Sequence, residues 1–162
     1  MVLNVVEFCA NLENIQSISL PEHHTFCIDV KDSTGDDVRE NVRVNDSEEQ
    51  DIPNSRGTAH FALKWAKDSR KVSYLHVVPI KGVTRPVTGE DDSKPVPIVA
   101  FDCRGLDVIK WHPEDGFEVV TASGKTFEDV DLSSGEWVEY DEDLSESVGI
   151  YDITSQITTR KQ

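Results

Sequence analysis

Cysteine, methionine and basic residues are scarce in this 162-residue chain, which has three cysteines, one methionine, and 16 lysines and arginines against 31 aspartates and glutamates. Cys9, Cys27 and Cys103 are odd in number and scattered. That excludes a disulfide framework and implies reduced thiols in a cytoplasmic or nuclear protein. No apolar run is long enough for a membrane span, and the first residues lack the basic start of a signal peptide. Also missing are the phosphate-cradling glycine loop, the nucleophile elbow, the dinucleotide fingerprint and the His-Glu-x-x-His zinc motif. The chain is therefore expected to be no enzyme, with no catalytic residues and no cofactor. Persistent helical stripes are absent too, because Asp, Ser, Gly and Pro interrupt every candidate window.

What is abundant is negative charge. The formal net charge is −15, and from Glu114 to Glu146 twelve acidic residues face one basic residue, Lys125. Such a sector repels nucleic acid and anionic membranes, so neither is expected as a partner. It either keeps the protein soluble or docks onto a basic protein surface. Asp141, Glu142 and Asp143 are its densest cluster and are predicted to lie in a polar loop as candidates for partner binding.

Period-two alternation predicts strands. In Thr58 to Trp65, Ala59, Phe61, Leu63 and Trp65 share one face. Val72 to Val78, Ile98 to Cys103 and Val148 to Ile157 read likewise, as do Val2 to Phe8, Phe26 to Val30, Phe117 to Thr121 and Thr126 to Val130. Turns are expected at Asp68-Ser69-Arg70-Lys71 and at Ala122-Ser123-Gly124-Lys125. Residues 81–97, punctuated by proline and glycine around Glu90-Asp91-Asp92, read as a mobile linker between a half at 1–80 and a half at 98–162. The halves repeat at a spacing of about 90 residues: Leu12-Glu13-Asn14-Ile15 with Leu106-Asp107-Val108-Ile109, Phe26 with Phe117, and Gly57 with Gly149. The expectation is an all-β fold, an antiparallel β sandwich or barrel of two related halves with pseudo-twofold symmetry and one shared core.

Five histidines are dispersed. His23 and His24 are adjacent and would point to opposite faces of a strand, while His60, His76 and His112 stand singly. Cys103, at the end of an apolar strand, is expected to pack as a small hydrophobe.

The run Phe101-Asp102-Cys103-Arg104-Gly105-Leu106, followed by Gly116-Phe117, Ser123-Gly124, Trp137, Tyr140-Asp141 and Glu146-Ser147-Val148-Gly149-Ile150-Tyr151, resembles the eukaryotic CXXC-motif-containing zinc-binding proteins. Leu12-Glu13-Asn14-Ile15 and Ser55-Arg56-Gly57-Thr58-Ala59 extend the resemblance to the first half. In that family, whose biochemical function is not established, two CxxC pairs supply four thiolates for a closed tetrahedral zinc site. Here the four positions fall on Asp32, Gly35, Trp65 and Asp68. Glycine has no side-chain ligand, tryptophan none that binds zinc, and two hard carboxylates do not replace soft thiolates. No metal is expected at these positions. Trp65 then either plugs the gap by burial or stays exposed as a partner's anchor. The resemblance and the thin chemistry together imply a non-enzymatic interaction module, an adaptor or subunit of a protein complex without zinc. The alternative is a small-ligand or metal-handling protein using another site, such as Cys103 with a histidine.

Overall fold

The computed structural model describes residues 2–67 and 70–161. Those residues form β1 (Val2–Glu13), β2 (Ile15–Ser19), β3 (Thr25–Asp32), β4 (Val38–Asn45), β5 (Gln50–Asp51), β6 (Thr58–Ala59), β7 (Phe61–Lys64) and β8 (Val72–Val78) in the first part. There follow β9 (Val87–Thr88), a 3-10 turn (Gly89–Asp91), β10 (Val96–Arg104), β11 (Leu106–His112), β12 (Phe117–Thr121), β13 (Thr126–Val130), β14 (Trp137–Asp141) and β15 (Glu146–Lys161).

The largest sheet has the order β14-β15-β1-β10-β8-β7, and two smaller ones run β11-β3-β4 and β13-β12-β2-β9. All of their pairings are antiparallel. The two long central strands turn out of the large sheet in the same way. β1 ends at Asn14 (φ 54°) and continues as β2, while β10 ends at Gly105 (φ 74°) and continues as β11. Both corners need the left-handed backbone that asparagine and glycine tolerate.

The order of strands survives an exchange of the halves. Across the β1–β10 pair, β15 answers β8 and β14 answers β7. In the smaller sheets, β11 joins the β3–β4 hairpin as β2 joins the β12–β13 hairpin, so each hairpin is completed by a strand of the other half. This is the all-β, antiparallel, pseudo-twofold architecture expected from sequence, here with the sheets curled. Phe26 and Phe117 hold equivalent places: both are buried, and they pair with Val44 on β4 and Val130 on β13.

Gly57 and Gly149 do not match, since Gly57 precedes β6 whereas Gly149 lies inside β15. The corners also put Asn14 opposite Gly105 and Ile15 opposite Leu106, so the predicted pairing of Leu12 with Leu106 is three residues out of step. One apolar cluster gathers residues of both halves, with Val6, Phe8, Ile28, Leu75, Phe101, Phe117 and Ile150 essentially inaccessible. Each such side chain contributes about 1.5–3 kcal/mol on leaving water.

Residues 81–97 are more than a linker. Val87–Thr88 pairs with β2, and the 3-10 turn is closed by Asp91, which accepts Thr88 N (2.8 Å) and Oγ1 (3.0 Å). Arg85 donates through both terminal nitrogens to the same carboxylate at 2.7 and 2.8 Å, and this bidentate pair holds it well below the usual carboxylate range. The predicted strand from Thr58 to Trp65 breaks at His60 into β6 and β7.

Candidate functional site

The β3–β4 hairpin, the β7–β8 hairpin and the β10–β11 corner meet where the resemblance places the lost ligands. Asp32 ends β3, and its backbone closes the turn by donating to Asp37 O (2.9 Å). Its carboxylate accepts Thr34 N (3.1 Å) and Thr34 Oγ1 (3.3 Å) and forms an ion pair with Lys71, which precedes β8 and also bonds Thr34 Oγ1. The Lys71 ammonium leads the groups that hold the Asp32 carboxyl below its ordinary range. Gly35 sits under this carboxylate, since a Cβ there would lie 3.1 Å from Asp32 Oδ2.

Trp65, after β7, is half-buried against the core rather than free. Its indole N–H donates to Ser73 Oγ (2.8 Å), Ser73 donates to Gly105 O (2.8 Å), and Ser33 N donates to the same carbonyl (3.2 Å). The Arg39 guanidinium stands 5.9 Å from the centre of the Trp65 ring, a cation–π contact between the two hairpins. Gly105 is required here twice over. Its φ is left-handed, and a Cβ would fall 2.8 Å from Ser73 Oγ. This explains why glycine follows Cys103-Arg104.

The structure thus brings Asp32, Gly35 and Trp65 together, while Asp68 lies outside the described residues. The donors present do not fit a closed zinc site. One carboxylate is already ion-paired, glycine has no ligand atom, and the indole nitrogen only donates. A lysine ammonium and an arginine–tryptophan contact join the two hairpins instead.

Among the described residues Cys103 hydrogen-bonds to no histidine. Its thiol bonds Asn4 Oδ1 (3.4 Å) and Phe101 O (3.6 Å), and burial pushes its pKa up to about 12, an inert thiol. Among the described residues no three His, Cys, Asp or Glu side chains are grouped to hold a metal ion. A partly enclosed cavity of about 170 Å³ is lined by Phe8, Ile18, Leu20, Arg85, Ile98 and Phe117, and a more open concavity of about 560 Å³ lies by Ser17, Thr88 and Glu90.

The acidic candidates divide. Glu142 and Asp143 are exposed, but Asp141 is fully buried, so its placement in a polar surface loop is corrected. Its carboxylate accepts Thr121 Oγ1 (2.5 Å), Ser123 Oγ (2.6 Å) and Asp143 N (2.9 Å), and the two hydroxyls hold its pKa down. It ties the β12–β13 turn to the end of β14. Sequence reasoning missed β14 as a strand, and with it the two large apolar side chains that β14 exposes, Val138 (52%) and Tyr140 (53%). The alternation Val138-Glu139-Tyr140 was the available signal.

Fold and junction define a class: curled antiparallel β proteins of two interleaved halves, with hairpin tips converging on one junction. The family model for the eukaryotic CXXC motif containing zinc binding protein matches residues 5–158. The chain belongs to that family. It is 33% identical over 172 residues to the UPF0587 protein CG4646 of Drosophila melanogaster, with 100% of both chains covered. It is 31% identical over 152 residues to the CXXC motif containing zinc binding protein of Bos taurus, covering 91% of this chain and 92% of the relative. A hypothetical protein from Plasmodium falciparum of solved structure superposes with a TM-score of 0.88 at 30% identity, over 98% of this chain and 100% of the other.

Proposed function

We propose that this chain is a non-enzymatic protein-interaction module of the cytoplasm or nucleus, a zinc-free adaptor or subunit. In this reading it holds its hairpins with side-chain cations and binds a basic protein partner rather than nucleic acid or membrane. The observation that carries the reading is β14, an edge strand with Val138 and Tyr140 each about half exposed. Glu139, Glu142 and Asp143 are exposed in the same segment. An edge of this kind suits an extended segment that alternates apolar with lysine or arginine side chains. Apolar contact would supply affinity and the acidic sector would speed encounter. The repeated strand order supports descent from an internal duplication, with the second half specialised as the binding surface.

The test is affinity capture with the wild type and a Val138→Ser, Tyr140→Ser variant, read by quantitative mass spectrometry. Partners held by the wild type at about 0.15 M salt should fall away with the variant, and their association rate should drop as salt shortens the Debye length from about 8 toward 3 Å. Partners that ignore both the variant and the salt would remove this strip from consideration. The alternative of a metal- or small-ligand-handling protein predicts a near-stoichiometric metal or ligand in the purified protein.

A further inference from the structure

Most edges of these sheets are blunted. β7 and β9 are short, β4 is interrupted by Asn41 in the left-handed region (φ 55°), and β13 by Asp129 (φ 52°). Such shortening and kinking keeps an edge from adding foreign strands. β15 is the exception. β14 covers it only from Glu146 to Ile150, while Thr154 to Lys161 pairs with β1 in unbroken register, from Cys9↔Thr154 to Val2↔Lys161. Over that stretch no residue has a positive φ, none is proline, and no described strand pairs with its other side.

The direction of its backbone groups follows from neighbours. Ile153 N donates to Gly135 O, on the side away from β1. On β1, Ala10 O accepts Ser93 N and Leu12 N donates to Asp92, so the alternate residues Cys9, Glu7, Val5 and Leu3 face β15. By the two-residue period, Ser155, Ile157, Thr159 and Lys161 aim both N–H and C=O at the open side. The edge is also polar in charge. Its start lies by Asp152 and by exposed Glu136, next to Gly135, and its end is Arg160-Lys161.

We propose that this edge pairs with the same edge of a second copy, antiparallel and across a twofold axis at Thr158. That register sets Ser155 against Lys161 of the partner subunit and Ile157 against Thr159 of the partner subunit. It uses all four outward residues and leaves the Ile153–Gly135 bond in place. Antiparallel pairing brings the basic end of each strand to the acidic start of the other, a complementarity that a parallel arrangement lacks. The net charge of −15 opposes association at long range. At about 0.15 M salt the Debye length is only about 8 Å, so distant charges are screened while the backbone ladder is not.

Analytical ultracentrifugation of the full chain in reducing buffer, from micromolar to about 1 mM, tests the pairing. The wild type should show a concentration-dependent monomer–dimer equilibrium. Ile157→Pro removes one outward N–H, spares the β1 ladder, and should stay monomeric with unchanged far-ultraviolet circular dichroism. A wild type that stays monomeric at the highest concentration overturns the proposal and leaves the edge to a strand from another protein. So does a proline variant that dimerises like the wild type.

If the proline variant does not fold, cross-linking decides. At the twofold, two Thr158 residues form a non-hydrogen-bonded pair with Cα atoms about 4.5 Å apart, within disulfide range. Thr158→Cys should link two copies under mild oxidation, mapped by mass spectrometry, whereas Ser155→Cys, far from its own counterpart in this register, should not. Equal linking of both variants, or no linking of the Thr158→Cys variant, overturns the pairing.

Discussion

The ammonium of Lys71 and the carboxylate of Asp32 join two hairpins that share no strand pairing. Asp32 titrates below its ordinary 3.8 in the folded chain. The stability it contributes is therefore present above about pH 4 and lost as pH falls through the lower folded value. Acid unfolding of Asp32→Asn should lack this component, and Lys71→Met should lose it too, as followed by circular dichroism between pH 5 and 2.

Chelators and added zinc should both leave the thermal midpoint of the wild type unchanged. A fold that depended on the metal would melt several degrees earlier when stripped. Differential scanning calorimetry with and without a strong chelator makes the comparison, and a midpoint that fell would point to donors outside the junction.

Asp141 should behave as a structural residue. Asp141→Ala leaves the hydroxyls of Thr121 and Ser123 and the amide of Asp143 without their acceptor. The midpoint should fall by about 5 °C or more, whereas Glu142→Ala and Asp143→Ala should move it by less than about 2 °C.

Gly105→Ala should cost about 1–2 kcal/mol from the left-handed backbone alone, and more because the new methyl meets Ser73 Oγ. Chemical denaturation should show the loss, and Ser73→Ala in the same chain should recover part of it. Asn14→Gly, at the corresponding corner, relieves the left-handed backbone but loses the hydrogen bonds from Asn14 Nδ2 to Glu146 Oε2 and Ser147 O (both 3.0 Å), and should cost about 1 kcal/mol.

Between pH 7 and 5 the histidines set the slope. Burial lowers the pKa of His24, which packs on Phe26 and Phe117, and of His60, whose Nδ1 accepts Val77 N at 2.8 Å. The unfolded chain takes up protons near 6.5 that the folded chain refuses, so stability falls as pH drops below that value. His23, raised by Asp46, opposes this by gaining stability as it protonates. Urea midpoints across this range should decline for the wild type and decline less for His60→Gln.

The strands that were legible in the sequence are those with one buried face. Val72–Val78 and Phe117–Thr121 match their predicted limits because buried side chains alternate along them, and Thr126–Val130 matches through its hairpin with β12, although only Val130 in it is buried. β4 and β14 were missed because edge strands face water along most of their length: Val-Arg-Glu-Asn-Val-Arg reads as polar, and the short Trp-Val-Glu-Tyr is embedded in an acidic run. β2 and β11 were hidden by the corners at Asn14 and Gly105, which restart the alternation. At the junction, it was visible in the sequence that Gly35 and Trp65 offer no zinc ligand. The cation bridge was not, because Lys71 and Arg39 are distant in sequence from the groups they meet. Asp141 misled by its company: amid exposed carboxylates, only the hydroxyls of Thr121 and Ser123 show why one of them is inside.

The interleaving of the halves governs how the chain is made. β1 has two neighbours in its sheet, β10 and β15, and both come from the far half. A ribosome adding about 5–20 residues per second would release Val2 to Phe8 many seconds before β15 exists to cover it. Through that interval one of the most apolar strands of the protein stands without a partner on one side, and neither half has a complete sheet of its own to fold into. The nascent chain is thus held open until its last strand arrives, and the substitutions most harmful in the cell should be those that delay the meeting of β1 with β15, even where the finished protein tolerates them.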